Sequence, residues 1–217
     1  MINSDLVSKT ILFVKRKLEN AEGGHDWFHI ERVYKNALAI SKNENCDELV
    51  VKLSALLHDI ADSKFHKGDE TIGPKIVREF LASENVPEEI IIQVVNIIDT
   101  ISFKGGNFEK AYHSKELDIV QDADRLDAIG AIGIARTFNY GGFKNRPIYN
   151  PSIPPNLHMS KEEYKNSEAP TLNHFYEKLL LLKDKMNTET GKQIAEQRHH
   201  YMEIFLSQFY AEWDGEK

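Results

Sequence analysis

Apolar residues in this chain recur at intervals of three and four, the period of an amphipathic helix, and no segment carries a convincing hairpin signal. From Ser4, a stripe of Leu6, Val7, Ile11, Leu12, Val14 and Leu18 predicts a first helix, and Gly23-Gly24 ends the connection after it. Phe28, Ile30, Val33, Tyr34, Ala37, Leu38 and Ile40 predict a second, from about Asp26 to Asn43. Asp47 is the N-cap of a third, Leu49 to Ile60, followed by a polar loop through Asp69. Thr71 to Ser83 reads as a helix with Pro74 in or just after its first turn. In Ile90 to Ile98, seven of nine residues are β-branched, which also suits a buried strand. Pro87-Glu88-Glu89, a helical first turn, favours helix there.

Ser114 to about Asn139 reads as one long helix closed by Gly141-Gly142. Phe143 to Ser160 is rich in Pro, Asn and Gly, an irregular loop too long for a simple connector. Leu172 to Met186 and Glu189 to Trp213 complete an all-α reading, a single-domain helical bundle over residues 1–217. The Phe205, Phe209, Tyr210 and Trp213 stripe reads as core packing rather than a base-stacking platform.

Composition narrows the function classes. With 41% hydrophobic residues in 217, the chain can bury a core, and no apolar run approaches the roughly 20 residues of a membrane span. The balance of 27 basic to 34 acidic residues, net -7, argues against a nucleic-acid binder, which needs a basic stripe to displace phosphate counterions. It leaves room for a phosphorylated small molecule, because a metal or a few local cations hold one phosphate group. Cys46 is the sole cysteine and the N-terminal segment has no signal-peptide pattern, so the expected compartment is the cytoplasm. A homodimer is compatible with the sequence.

Three clusters carry chemistry. In a helix from Asp26, His29 and Arg32 share a face and His25 sits a turn earlier, so an imidazole and a guanidinium can surround a small anion. His58-Asp59 follows an apolar helical stretch, where burying such a pair is costly unless a shared metal or other partners compensate. In Asp118 to Gly130, acids interrupt an otherwise apolar helix: Asp124 and Asp127 can share one face while Asp122 and Arg125 pair on another. Imidazoles and carboxylates drawn from separate helices are how helical proteins build metal sites. His66 and the pair His199-His200 read as surface residues, the pair having no acid or thiol beside it in sequence.

His29, then His58-Asp59, then Asp124 resembles the H…HD…D signature of the HD-domain phosphohydrolase superfamily. His25-Asp26-x-x-His29-x-x-Arg32-Val33, His58-Asp59-Ile60-x-Asp62-x-Lys64-Phe65 and Asp122-Ala123-Asp124-Arg125-Leu126-Asp127-Ala128 look like a bacterial subgroup that includes nucleoside triphosphate pyrophosphohydrolases. The likeness continues through Leu172-Asn173-His174-Phe175-Tyr176-Glu177-Lys178-Leu179 and Thr188-Glu189-Thr190-Gly191, so it covers nearly the whole chain.

The resemblance implies a metal site on His29, His58, Asp59 and Asp124, between core helices of an HD-type bundle. Two imidazoles and two carboxylates suit one divalent ion, Mn by preference, with Fe, Co, Ni or Zn as alternatives. A bound ion lowers the pKa of water and polarises a phosphoryl oxygen, so the expected reaction is attack on the α-phosphorus of a (deoxy)nucleoside triphosphate, releasing monophosphate and pyrophosphate. Asp62 then orients the water or takes its proton, and Lys64 and Arg125 neutralise phosphate charge. Arg32, His25, Lys144, Arg146, His174 and Lys178 are the candidate substrate contacts, Lys144 and Arg146 as a lid from the long loop. His25 and Asp127 also suit hydrogen bonding to ligands. An HD-type phosphomonoesterase or phosphodiesterase, and a non-catalytic nucleotide-binding module, are the competing readings. The module is expected to lose ligands, whereas all four are present here.

Overall fold

Short polar side chains start several helices by accepting N–H groups that have no partner within the helix. Asp26 accepts from His29, Asp47 from Leu49 and Val50, and Thr188 from Gly191. A computed structural model describes residues 2–19, 26–60, 71–101, 112–160, 163 and 166–217 of the chain. The fold is all-α, with no strand among the described residues. The helices are α1 (Ile2–Lys17), α2 (Trp27–Ser41), α3 (Glu48–Leu57), α4 (Ile72–Ser83), α5 (Glu88–Ile101), α6 (Lys115–Asp127), α7 (Gly130–Phe143), α8 (Asn173–Glu177) and α9 (Glu189–Trp213). No helix among the described residues is long and apolar enough to cross a membrane.

The chain divides into two compact units, Met1–Asp124 and Arg125–Lys217. In the first, α3 is buried on almost every side: Val50, Val51, Leu53, Ala55, Leu56 and Leu57 are all inaccessible. A helix apolar all round belongs at the centre of a bundle, and α1, α2 and α5 pack against it. The β-branched run is helical: α5 buries Ile91, Val94, Ile97, Ile98 and Ile101, a stripe of period 3.6 and not of period 2. Phe13 stacks on Phe80 at 4.0 Å, joining α1 to α4. α4 leaves through Asn85 in the left-handed region (φ 57°), where Asn is tolerated, and Val86 N–H returns to the Leu81 carbonyl.

α3 stops at Leu57 rather than Ile60, and His58 to Ile60 form a turn. The expected single helix from Ser114 to Asn139 is two helices. Ile129 is extended (φ -124°, ψ 167°) and Gly130 takes φ +74°, so the chain turns a corner between α6 and α7. The sequence hides this break because Ala and Ile on both sides continue the helical pattern.

In the second unit, α9 packs on α7. Phe138, Phe175 and Phe205 meet at ring distances of 5.8 to 6.0 Å. The expected helix Leu172 to Met186 is instead the short α8 followed by two 3₁₀ turns, Leu179–Leu181 and Lys183–Lys185. Lys178 (φ -144°, ψ -57°) breaks it, and the tighter turn puts Leu179 and Leu182 into the core together, because residues three apart eclipse in a 3₁₀ helix. The irregular loop after α7 is observed, and it is tied down. Tyr149 packs edge-on against Phe209, Tyr210 and Trp213 at 5.9, 5.4 and 4.9 Å, so the aromatic stripe packs at the margin of the core rather than within it: Phe205, Phe209 and Tyr210 are half-buried and Trp213, at the helix end, is 51% exposed. Asn173 also donates to the Ile153 carbonyl.

Candidate metal centre

His29 lies in the first turn of α2, and Asp26 Oδ1 accepts its backbone N–H at 3.0 Å, fixing the turn that carries the imidazole. The side chain is 3% exposed. His58 follows the last residue of α3 and reaches back to the carbonyl of Ala55, 2.9 Å from its Nδ1. A carbonyl only accepts, so Nδ1 carries the proton and the lone pair of the neutral ring lies on Nε2. That nitrogen is 3.3 Å from His29 Nε2. Two imidazole nitrogens facing at this distance need a shared proton or a cation between them.

Carboxylates complete the set. One ligand atom from each of His29, His58 and Asp59 lies within 4.8 Å of the others. Asp124, on α6, brings Oδ1 to 3.5 Å from His29 Nε2 and 3.9 Å from His58 Nε2. Asn36 of α2 donates to the carbonyl of Ala123 at 3.1 Å, beside Asp124. All four expected ligands therefore come from one unit. A set of two imidazoles and two carboxylates, with one imidazole already oriented by a carbonyl on its far nitrogen, fits a divalent ion of the borderline class.

Asp124 and Asp127 part company. Asp127 is 1% exposed and bound by Arg136, whose Nη1 lies 2.5 Å from its Oδ2 and 3.2 Å from its backbone oxygen. Arg32 is half-buried on α2. Arg125 donates to the Lys185 carbonyl at 2.6 Å.

In the second unit, Arg146 donates to the Ser167 carbonyl and lies 5.8 Å from the Tyr140 ring centre. Lys144 is exposed, over Tyr140 and Phe143. Burial, and then the charges of Lys178 and Arg146, push His174 down to about 4. His174, Lys178 and Arg146 thus sit close enough to feel one another, with His174 the neutral member at pH 7. His25, Asp62, Lys64 and His66 lie outside the described residues.

His199 departs from expectation, being largely buried (side chain 12% exposed), and Glu203 lies 3.3 Å from it and 3.5 Å from His200. Asn36, Arg136 and Arg198 were not singled out by the sequence. A polar residue on the apolar side of α2 was the only signal for the first.

Residues 27–129 match the HD domain family. The uncharacterized protein YpgQ of Bacillus subtilis is 36% identical over 206 residues, covering 94% of this chain and 91% of YpgQ. The crystal structure of an HD-superfamily hydrolase from Bacillus thuringiensis is similar at a TM-score of 0.79 and 46% identity, over 98% of both chains. YpgQ in complex with ADP is similar at a TM-score of 0.75 and 33% identity, over 98% of this chain and 97% of that one. Kinship of this extent, joined to histidines and aspartates meeting in the H…HD…D order, makes the chain a member of the HD domain family, alongside HD-superfamily hydrolases.

Proposed function

We propose that this metal-dependent phosphohydrolase cleaves (deoxy)nucleoside triphosphates, with water adding at the α-phosphorus and pyrophosphate leaving from the monophosphate. The observation that carries the reading is the convergence of His29, His58 and Asp59 within 4.8 Å, with Asp124 closing on both imidazoles. YpgQ's complex with ADP supports a nucleotide as the ligand. A divalent ion, Mn by preference, supplies Lewis acidity and a lowered water pKa when held there.

The chain's own groups do the rest. The Ala55 carbonyl keeps the His58 lone pair on Nε2, and two carboxylates offset the charge of the ion. Asp62 is assigned to orient the attacking water and take its proton, and Lys64 and Arg125 to neutralise the phosphates. His25, Arg32, Lys144, Arg146, His174 and Lys178 are assigned to substrate oxygens, charge coming from the cations and a neutral hydrogen bond from His174. We also assign residues 1–217 to one HD-type domain.

Phosphorus NMR of the protein with Mn and a panel of nucleoside triphosphates tests this, with Asp59→Ala run beside it. The expected products are pyrophosphate and monophosphate from the parent alone, with the helical circular dichroism of the variant retained. Orthophosphate as the only product moves the reaction to the terminal phosphate. Full activity in Asp59→Ala with no metal bound rejects the metal centre.

A further inference from the structure

α6 carries Asp124, whose side chain is 43% exposed against 3% and 5% for the two imidazoles, and the corner at Ile129-Gly130 takes the helix's own N–H partners from its last carbonyls. Three side chains from other helices reach backbone oxygens of this last turn. Asn36, on the helix that also carries His29, donates to Ala123 O at 3.1 Å, immediately before Asp124. Arg198 of α9 donates to Leu126 O at 2.5 Å, two residues after it. Arg136 of α7 takes both the backbone and the side-chain oxygen of Asp127.

None of the three is needed simply to satisfy a helix interior. Ala123 O lies where the helix's own i+4 N–H bonds it, so the Asn36 amide is an extra tie from α2. At the corner, Ile129 N–H reaches Leu126 O only at 3.4 Å, which leaves that carbonyl to the guanidinium. Two cations at a helix C-terminus also oppose the negative end of its dipole. Gly130 makes room for one of them: a Cβ there would lie 3.0 Å from Arg198 Cβ and Cγ. Burial lowers the Arg198 pKa while the Asp127 charge raises it, consistent with a guanidinium enclosed beside a carboxylate.

We propose that Asn36, Arg136 and Arg198 are positioning residues that hold the last turn of α6 (Ala123–Asp127) by its own oxygens, setting where the fourth ligand stands relative to the imidazole pair. The inference rests on the metal-centre reading. Asp127 is then the anchor of this clamp rather than a ligand. The Asp124 side chain is 43% exposed on an otherwise largely buried turn, so its position follows the backbone that carries it, and outer contacts of this kind are typically worth about 10- to 100-fold in metal affinity.

The test is Mn(II) binding to the whole chain, followed by electron paramagnetic resonance, with no turnover involved. Asn36→Leu keeps volume and leaves Ala123 O its helical bond, so it is expected to fold. Arg198→Lys keeps a charge and one donor, and is the second probe. Each is measured alone and combined with Asp124→Ala, with circular dichroism beside it. The expected result is about tenfold weaker Mn(II) binding for Asn36→Leu, a smaller loss for Arg198→Lys, and less than about a twofold effect of either once Asp124 is alanine. Mn(II) affinity unchanged in both single variants overturns the clamp. An equal loss with and without Asp124 also overturns it, since the substitution then acts on the fold at large. Absence of Mn(II) binding in the parent takes down the metal-centre reading and the clamp together, a pattern distinct from the other two.

Discussion

At the scale of single residues, chemistry is set by which atom of each side chain is already occupied. The His58 ring is committed through Nδ1 to the Ala55 carbonyl, so only Nε2 faces His29 and Asp124. Adjacent histidine and aspartate after an apolar helix were readable as a site because their burial demands compensation. Asp124 and Asp127 were not separable from spacing alone, three apart on one helix, until Arg136 was seen to occupy the second. His174 yields a measurable consequence. Its pKa falls from 6.5 to about 4 in the folded chain, so on acidification the unfolded chain binds the proton first. The stability it contributes is complete above about pH 6.5 and is lost as pH falls towards 4, amounting to at most about 3 kcal/mol. Urea denaturation of the parent and His174→Gln across pH 7 to 4 is expected to show a shallower acid-side loss in the variant. Parallel curves would mean that His174 titrates normally.

At the scale of elements, the pattern that names a helix does not say where it breaks. The α6–α7 corner depends on Gly130 at φ +74° and on close packing at Gly133, where a Cβ would lie 2.2 Å from the Ala128 carbonyl oxygen. Gly142, in the last turn of the same α7, faces open space. Gly133→Ala is therefore expected to destabilise by about 1–3 kcal/mol through overpacking. Gly142→Ala is expected to stabilise by up to about 1 kcal/mol through the lost flexibility of the unfolded chain. Chemical denaturation of the two variants checks the opposite signs, and equal effects would contradict the tight packing at the corner. The long loop makes a second case. Its composition marks it as irregular but does not reveal that Tyr149 seats on α9. Tyr149→Ala removes three aromatic contacts, each worth about 0.5–1.5 kcal/mol beyond burial, and is expected to hasten limited proteolysis between residues 144 and 160. An unchanged cleavage rate would show that Asn173 and the backbone bonds suffice to hold the loop.

At the scale of the whole molecule, a ligand that binds the folded chain alone adds stability by mass action. Mn(II) at 100 times its dissociation constant is expected to add about 2.7 kcal/mol, raising Tm by about 5–10 °C for a chain of this length. Asp59→Ala and chelator-treated protein should melt without that rise, and an identical Tm with and without Mn(II) would speak against the site. The all-α architecture was determined by the sequence itself, because helical period is a local signal repeated along the chain, and the four expected ligand positions were legible there through the family resemblance of the H…HD…D pattern. Only the tertiary structure decided that Asp124 joins His29, His58 and Asp59 while Asp127 joins Arg136. It also decided where two expected helices break. The last turn of α6 makes contacts with residues far apart in the chain, Asn36 with Ala123 and Arg198 with Leu126, whose partners no local spacing specifies.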